Sequence, residues 1–475
     1  MNTMPTTAKE FDQVRASTGA QSKPARGLTQ ILARQAAGLR YETLPENAAL
    51  LTRQCVLDYL GVTLAGASDP VSDMILAEMQ EQGGTASATI YGRGVKLPGL
   101  SAALVNGTFS HALDFDDVNM ALPGHPSVAI LPGLLALAEE RRASGRELIA
   151  AFVAGYELAA RVGLLMAPGH YNTLGFHSTA TIGSLGAAAA AGHLLGLTDD
   201  EMATAISIAA TQAGGLKSLF GTMCKPFHAG KAASNGLLAA RLAKRGFTGR
   251  TDILECVQGF ARSHSPDYHE AAALAEPRGG LHMRANLFKY HAACYLTHAA
   301  IECCRRLRAE HALTPDAIKR VVLRIDQSCG RVCNILEPRT GLEAKFSLRL
   351  TTAMALAGID TARLGSYSDV TAQDRALVAL RDRVEIEFQD GWSQTESDVA
   401  IETVDGHRFM ASHDAGVPAA DLTDQGRRLA DKFMQLVEPL YGSARAQRIV
   451  TLTHDLDGLP DISVLAEACS SAIAA

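Results

Sequence analysis

Hydrophobic residues recur every three or four positions through the first half of the chain, as in Leu51, Cys55, Tyr59 and Val62. This spacing lines one face of a helix, and it predicts helix after helix from residue 28 to about residue 273. Further helices are expected at 131–143, 146–165, 179–195, 201–213 and 232–244. The sequence from Thr198 to Glu201 is typical of a capping box. We therefore predict an all-helical domain over residues 28–277.

After about residue 278 hydrophobic residues recur at every second position, for example at Val321, Leu323 and Ile325. Alternation of this kind indicates half-buried strands. The pair Asp405-Gly406 predicts a two-residue hairpin turn, because glycine supplies the positive φ that such a turn needs. We expect a smaller α+β domain at 278–411, a helical segment at 412–475 that returns to the first domain, and a flexible polar segment at 1–27.

Composition and charge narrow the possible partners. The 475 residues are 47 % hydrophobic and carry a formal net charge of −6, which disfavours nucleic acid and anionic membrane surfaces as partners. The most apolar stretches, 148–166 and 180–197, contain Glu157 and Arg161 or consist largely of Ala and Gly, so buried helices are expected rather than membrane spans. The polar beginning of the chain and nine scattered cysteines favour a cytoplasmic protein with reduced thiols.

The first concentration of reactive side chains contains Asp114, Asp116 and Asp117, followed by His125. Carboxylates beside an imidazole can orient a histidine base or bind a hard cation. The alternative is structural, since Asp116 and Asp117 could cap the next helix.

A second segment places His177, Ser178 and Thr179 just ahead of a helix rich in small residues. The start of a helix favours anions, so these hydroxyls and free N–H groups could receive a carboxylate while His177 takes a proton. A satisfied core histidine is the structural alternative.

Two lysines complete the set of candidates. Lys225 precedes Pro226, which disfavours helix at that position, so we expect an extended lysine on a loop that can reach a substrate carboxylate. Lys289 lies between apolar runs at the start of the second domain. His228 is interpreted as structural.

Conventional nucleophile, zinc-protease, P-loop and dinucleotide-binding motifs are missing from the sequence. Imidazole, carboxylate and ammonium groups together favour acid–base chemistry on an anionic substrate, with no metal and no cofactor. A metallohydrolase built on Asp114, Asp116 and His125 is a less favoured alternative.

Five segments together resemble the MmgE/PrpD family in the order in which that family has them: LDYLGVTLAG, ALDFDDVNMALPGHPSVAILP, GFHSTATIGSLGAAAAAG, FGTMCKPFHAGKAASNGLLAARLAKRGFTG and LFKYHAACYLTHAAIE. The resemblance covers nearly the whole chain after residue 28. It implies a large helical domain with an α+β lid, a homodimer, and no metal or organic cofactor. Members include 2-methylcitrate dehydratase, cis-aconitate decarboxylase and iminodisuccinate epimerase.

The resemblance also implies which residues form the site. The positions that match the decarboxylase branch are Asp114, His125, His177, Lys225 and Lys289. Two positions differ: Val118 stands where that branch has Thr, and Leu350 where it has Tyr. Two absent hydroxyls argue against cis-aconitate as the substrate, because a polar group that loses its partner costs about 1–3 kcal/mol.

The resulting hypothesis is a dehydratase-type lyase that acts on a small di- or tricarboxylate. In it, Lys225 and Lys289 neutralise carboxylates, His177 removes a proton, His125 protonates the leaving hydroxyl, and Asp114 orients an imidazole. Ser178 and Thr179 are expected to contact substrate. An epimerase of an imino or hydroxy diacid, a cis-aconitate decarboxylase and a non-catalytic anion-binding protein are the alternatives.

Overall fold

The structure of the protein is a computed structural model that describes residues 26–472. Except for Arg26 and Gly27, the segment expected to be flexible lies outside the described residues. Gly27 directly precedes the first described helix.

Helices make up most of the described chain, with twelve of them before residue 278. They are α1 (Leu28–Gly38), α2 (Ala48–Gly66), α3 (Pro70–Gln82), α4 (Gly99–His111), α5 (Pro126–Arg141), α6 (Gly145–Met166), α7 (Gly169–Asn172), α8 (Ser178–Leu194), α9 (Asp199–Ala210), α10 (Cys224–Lys244), α11 (Phe260–His264) and α12 (Glu270–Leu274). The capping box expected at Thr198 is present at the start of α9.

The later helices are shorter until the chain approaches its end. They are α13 (His298–His311), α14 (Gly341–Ala344), α15 (Leu348–Leu356), α16 (Asp369–Ala372), α17 (Arg375–Arg381), α18 (Leu422–Tyr441), α19 (Ser443–His454) and α20 (Ser463–Ser470). The prediction of a mainly helical protein with a smaller α+β part is confirmed.

Six strands form two sheets within the described residues. A small hairpin pairs β1 (Ala88–Ile90) with β2 (Val95–Leu97), and a four-stranded sheet has the order β4-β3-β5-β6. Its strands are β3 (Ile318–Asp326), β4 (Val384–Gln389), β5 (Glu396–Thr403) and β6 (Arg408–Asp414). β3 pairs with β4 in parallel and with β5 antiparallel. The alternating segments of the sequence are therefore strands, as predicted.

The hairpin between β5 and β6 is present, but the prediction of a two-residue turn is wrong. β5 ends at Thr403 and β6 begins at Arg408, which leaves four residues between them. The hydroxyl of Thr403 donates to the Asp405 carboxylate, and the amide of Gly406 donates to the Thr403 carbonyl. These local bonds stabilise a longer loop, in which Gly406 has a φ of +89°.

Helix α8 lies at the centre of the helical part, where it packs against α5, α6, α9 and α10. Small residues allow this close approach: a Cβ added at Gly155 on α6 would lie 2.5 Å from the carbonyl oxygen of Gly186 on α8. Helix α6 is long and apolar enough to cross a membrane, but 94 % of its apolar window is buried, as for a core helix. The tight packing fixes α8, which begins at Ser178 directly after His177.

Two large cores follow from this arrangement. One contains residues of α1, α2, α5, α6, α8, α9 and α10 together with residues of α18, α19 and α20, so the end of the chain packs on its beginning. The other lies between the four-stranded sheet and the helices α13 and α15.

Candidate active site

The candidate site is centred on Asp114, just after helix α4. The chain turns there through a left-handed backbone conformation, with a φ of +51° at Asp114 and a bond from its N–H to the His111 carbonyl of 3.2 Å. Non-glycine residues adopt this conformation rarely, and aspartate is among those that tolerate it. The Asp114 carboxylate contacts one lysine on α10 and another in the segment that precedes α13.

Two ammonium groups share one oxygen of Asp114. Lys225 Nζ lies 2.7 Å from Asp114 Oδ1, and Lys289 Nζ lies 2.8 Å from the same atom. Lys289 also donates to the Asp114 backbone carbonyl at 2.6 Å. The Lys289 side chain is 3 % exposed and the Asp114 side chain 31 %, so the cluster opens to solvent on the Asp114 side.

Asp116 connects two imidazoles. His111 Nδ1 lies 2.9 Å from Asp116 Oδ1, and His125 Nδ1 lies 2.9 Å from Asp116 Oδ2. His125 Nδ1 also donates to the Asp117 carbonyl at 2.9 Å. Carboxylate and carbonyl oxygens only accept, so both Nδ1 atoms carry a proton. The lone pair of each neutral ring is therefore on Nε2, where it can accept a proton.

His177 completes a group of three neighbouring rings. Its centroid lies 5.9 Å from that of His111 and 6.5 Å from that of His125, and those two are 4.6 Å apart. Phe220 packs edge-on against His177 with 4.8 Å between centroids. His177 Nδ1 contacts His228 Nδ1 at 3.1 Å. His177 Nε2 is buried and has no hydrogen-bond partner among residues 26–472.

The charges of this group follow from burial and from neighbours. Burial opposes ionisation of Asp114, but Lys225 and Lys289 outweigh it and hold the Asp114 pKa well below its usual range. Burial also opposes ionisation of Asp116, whose pKa is likewise held low by His111 and His125. Burial lowers the pKa of His111 to about 4, with partial compensation by Asp116. Burial, followed by His111 and Lys225, lowers the pKa of His177 well below its ordinary value, so both rings are neutral at neutral pH.

A buried network holds the polypeptide segments of the site together. Asp117 accepts from the Ser127 hydroxyl at 2.5 Å and from the Asn286 side chain at 3.0 Å. Ser127 lies in the first turn of α5, so the expected alternative of a helix-capping aspartate applies to Asp117. Burial, followed by repulsion from Asp58, raises the Asp117 pKa to about 7. The network joins the segment that carries His125 to the segment that leads to Lys289.

The structure brings together Asp114, His125, His177, Lys225 and Lys289. Of the expected hydroxyls, Thr179 accepts from the His125 backbone N–H at 3.1 Å. Its oxygen therefore supports the His125 loop. The hydroxyl of Ser178 is fully buried and has no hydrogen-bond partner among the described residues.

One expectation about Lys225 is wrong. The lysine is helical, because α10 begins at Cys224 rather than at residue 232. Pro226 is compatible with this start because the first turn of a helix needs no donated N–H there. Lys225 is thus fixed in the first turn of a long helix.

The two positions that differ from the decarboxylase pattern are apolar and buried. Val118 is 8 % exposed and pairs with Leu287 through two backbone bonds of 2.7 and 2.8 Å. Leu350 is fully buried in the helical core. Neither side chain can donate a hydrogen bond to a ligand.

Sequence reasoning missed His111, Lys345 and the role of His228 in contacting His177. His111 belongs to the last turn of α4, where its periodic apolar neighbours make it look like a core residue. Burial lowers the pKa of Lys345, and the nearby charge of Asp114 opposes that shift. The sequence EAKFS around Lys345 has two charged residues in an apolar region, which is the signal that could have drawn attention to it.

The donor atoms of His111, Asp114, Asp116 and His125 lie within 4.8 Å of one another, close enough to surround a cation. Two of the four offer poor ligands, however. Asp114 is already neutralised by two ammonium groups, and Asp116 already accepts from two rings. The donor set is better matched to proton transfer than to a metal ion.

A helical domain is joined to an α+β part. Where segments of the two parts meet, imidazole, carboxylate and ammonium side chains form one buried group, which is typical of enzymes that use acid–base catalysis. The chain belongs to the MmgE/PrpD family. Residues 30–271 match the MmgE/PrpD N-terminal domain, and residues 291–457 match the MmgE/PrpD C-terminal domain. The predicted family is confirmed.

Curated relatives cover nearly the whole chain. Human cis-aconitate decarboxylase is 29 % identical over 460 residues, which cover 93 % of this chain and 94 % of the relative. Cis-aconitate decarboxylase of Aspergillus terreus is 27 % identical over 94 % of this chain and 97 % of the relative. The 2-methylcitrate dehydratase of Escherichia coli K12 is 25 % identical over 90 % of this chain and 93 % of the relative.

Proposed function

We propose that this protein is a lyase that acts on a small tricarboxylate by moving a proton at a carbon next to a carboxylate, without a cofactor. One observation carries the proposal: two ammonium groups meet on Asp114 Oδ1 beside three mutually close imidazoles. Ammonium groups bind carboxylates and stabilise negative charge as it develops, and neutral imidazoles exchange protons near neutral pH.

The site supplies each part of such a reaction. A substrate carboxylate enters on the exposed side of Asp114 and is neutralised by Lys225 and Lys289, so that an enolate-like species becomes accessible. His125 and His111 hold their lone pairs on Nε2 and are ready to accept a proton. His177 lies beside these two rings, and its Nε2, which has no hydrogen-bond partner among the described residues, can take a proton from the substrate carbon or return one. The assignment of His177 as the base and His125 as the acid stays a proposal.

Within the lyases, dehydration is the first candidate. Dehydration needs both a base for the carbon and an acid for the leaving hydroxyl, and the three imidazoles offer both. The similarity to 2-methylcitrate dehydratase supports it, and Val118 and Leu350 remove two hydroxyls that the decarboxylase branch has.

Decarboxylation is the second candidate, favoured by the 27–29 % identity to cis-aconitate decarboxylases of human and Aspergillus terreus. Loss of carbon dioxide needs only charge stabilisation and one proton donor, which this site also has. An epimerase would use the same residues without releasing a group.

The deciding experiment is proton NMR in D₂O with purified protein and 2-methylcitrate, citrate, cis-aconitate or iminodisuccinate. Loss of water from a citrate supports dehydration, release of carbon dioxide from cis-aconitate supports decarboxylation, and deuterium uptake alone supports an epimerase. Activity should be lost in Lys225→Ala and kept in Lys244→Ala, a matched change at the other end of α10, where the ammonium pairs with Glu201. A folded protein that turns over none of these compounds contradicts the proposal and favours a non-catalytic anion-binding role.

We also propose a cytoplasmic homodimer with no membrane or nucleic-acid partner. Support for a second copy comes from large apolar side chains exposed along the rim of the site, at Leu216, Phe220, Met223 and Phe227. Light scattering after size exclusion measures the mass directly, and a mass near 50 kDa at micromolar concentration would argue against the dimer. Metal analysis of the same sample tests the metallohydrolase alternative.

A further inference from the structure

A pair of histidines extends from the site into helix α10. His177 directly precedes α8, and His228 lies in the second turn of α10. Their Nδ1 atoms are 3.1 Å apart. His177 is 1 % exposed and His228 is 7 % exposed, so the contact is shielded from competing water.

Two ring nitrogens at this distance must share a proton. Two bare lone pairs would repel each other, and two N–H groups would clash, so one nitrogen donates and the other accepts. If His228 donates, the proton of neutral His177 is on Nε2. If His177 donates, its Nε2 carries the lone pair. Both arrangements are neutral, and they differ only in the positions of protons.

The surroundings disfavour a charged ring. Besides His228, the titratable groups that face His177 are His111, His125 and Lys225, and none of them is an acid. Its free Nε2 is buried without a partner in residues 26–472. A mechanism in which His177 takes or gives a proton alone would create a buried charge, which is costly.

We infer that His228 is a positioning residue that lets His177 take up and return a proton without becoming charged. When His177 Nε2 takes a proton from the substrate carbon, the Nδ1 proton of His177 passes to His228 Nδ1, and His228 Nε2 releases its proton to water. When His177 delivers a proton, each of these transfers runs in reverse, with water as the proton source. One N–H bond forms and one breaks on each ring, so both rings end neutral.

The inference rests on the proposed function, but one of its tests needs no substrate. Nitrogen-15 NMR of protein labelled in its histidines reports which nitrogen of His177 is protonated. We expect both His177 nitrogens to give intermediate shifts, because each ring exchanges between its two tautomers: as the shared proton moves between the Nδ1 atoms, one Nε2 gains a proton from water and the other loses one to water. In His228→Leu the ring should settle into one tautomer. A single fixed tautomer of His177 that is the same in both proteins overturns the inference, whether or not any tested compound is a substrate.

The second test is kinetic, with cis-aconitate and 2-methylcitrate as substrates. His228→Asn keeps a polar partner for His177 Nδ1 but has no second nitrogen from which a proton can leave. We expect its kcat to fall at least about tenfold, a part of the roughly 10²–10⁴-fold that a positioned acid or base contributes, while KM changes less than about threefold. His193→Asn, at the far end of α8 where the ring bonds the Leu39 carbonyl, should keep the wild-type kcat. An unchanged kcat in His228→Asn overturns the relay.

Discussion

At the scale of single residues, Asp114 and Asp116 do different work although they are two positions apart. Asp114 faces two ammonium groups and is partly open to solvent, whereas Asp116 faces two imidazoles and is buried. Asp114 reduces the net positive charge around the two ammonium groups to which a substrate carboxylate binds. Asp116 fixes the tautomers of His111 and His125, because its carboxylate oxygens can only accept hydrogen bonds.

Asp116→Asn tests this assignment. The amide has one accepting oxygen and one donating nitrogen, so it cannot accept from both His111 and His125. His125 keeps its bond to the Asp117 carbonyl, and His111 is left with a donor opposite its Nδ1. We expect kcat to fall by about 10²–10⁴-fold, the range for a misplaced acid–base group, with little change in KM.

The measurement is steady-state kinetics of the folded variant with the substrate found by NMR. Asp252→Asn, a change at an exposed carboxylate paired with Arg250, is the control and should retain activity. A kcat within about threefold of wild type in Asp116→Asn would show that neither ring depends on this carboxylate.

Sequence reasoning reached the charged and polar residues that stand out from apolar surroundings, such as Lys225 and Asp114. It could not assign partners, because these depend on distances between α4, α8 and α10. His111 shows this limit: its spacing fits the apolar face of α4, and only the fold reveals that its Nδ1 meets Asp116. Asp117 was open to either interpretation, and its bonds to Ser127 and Asn286 give it a structural role.

At the scale of elements, helix α18 stabilises the turn that carries Asp114 and Asp116. Lys432 on α18 is buried, and its Nζ lies 2.6 Å from Asp58 Oδ1 on α2 and 2.7 Å from the Phe115 carbonyl. Phe115 lies between Asp114 and Asp116. A helix from the end of the chain therefore holds the turn that presents both carboxylates.

Lys432→Met should destabilise the protein and slow catalysis together. The change leaves the Asp58 carboxyl buried without its partner, and breaking a buried pair costs about 3–5 kcal/mol. Urea unfolding measures the free energy, and kinetics measures the effect of the released Phe115 carbonyl on the site. Arg427→Met removes an exposed charge from the same helix and should change stability by less than about 0.5 kcal/mol.

The double variant Asp58→Asn with Lys432→Met separates the two effects. It removes the unpaired charge, so the double variant should lose less stability than the sum of the single changes. Its kcat should remain low, because Phe115 still lacks its donor. Additive losses of stability would contradict a direct interaction between the two side chains.

The elements also show where local patterns mislead. A Lys-Pro pair suggested a loop before residue 232, yet α10 starts at Cys224, because proline fits the first turn of a helix. The prediction of a two-residue hairpin turn was wrong for a local reason as well. Asp405 and Gly406 favour a tight turn, but the Thr403 side chain bonds Asp405 and stabilises a longer loop. Periodicity predicts the interior of an element better than its ends.

At the scale of the whole molecule, α18, α19 and α20 complete a core that begins with α1. The segment that leads to Lys289 is attached to this core through Glu157 on α6, which accepts from the backbone N–H groups of His282 and Met283, each at 3.0 Å. Burial raises the Glu157 pKa to about 7, although these bonds and Arg161 oppose the shift. The same carboxyl therefore couples the attachment of the segment to pH.

The effect of pH on the stability that Glu157 contributes is opposite to the effect expected for a carboxylate in an ordinary ion pair. Below about pH 4 the carboxyl is protonated in both the folded and the unfolded chain. Between about pH 4 and pH 7 the unfolded chain ionises while folded Glu157 keeps its proton, so its contribution to stability falls as the pH rises. Glu157→Gln removes this dependence. The melting temperature of the variant relative to wild type should therefore increase from pH 5 to pH 8, as measured by thermal unfolding at both values.

Glu147→Gln on the same helix gives the matched control of opposite sign. Bonds to the backbone and hydroxyl of Ser144 lower the Glu147 pKa, so this residue stabilises the fold above its unfolded pKa and loses that effect as the pH falls. The melting temperature of Glu147→Gln relative to wild type should therefore fall as the pH rises through the usual pKa range of a glutamate. If Glu157→Gln behaved in the same way, Glu157 would have to be ionised in the folded protein and paired with Arg161, and the segment before Lys289 would be anchored by charge rather than by a neutral carboxyl.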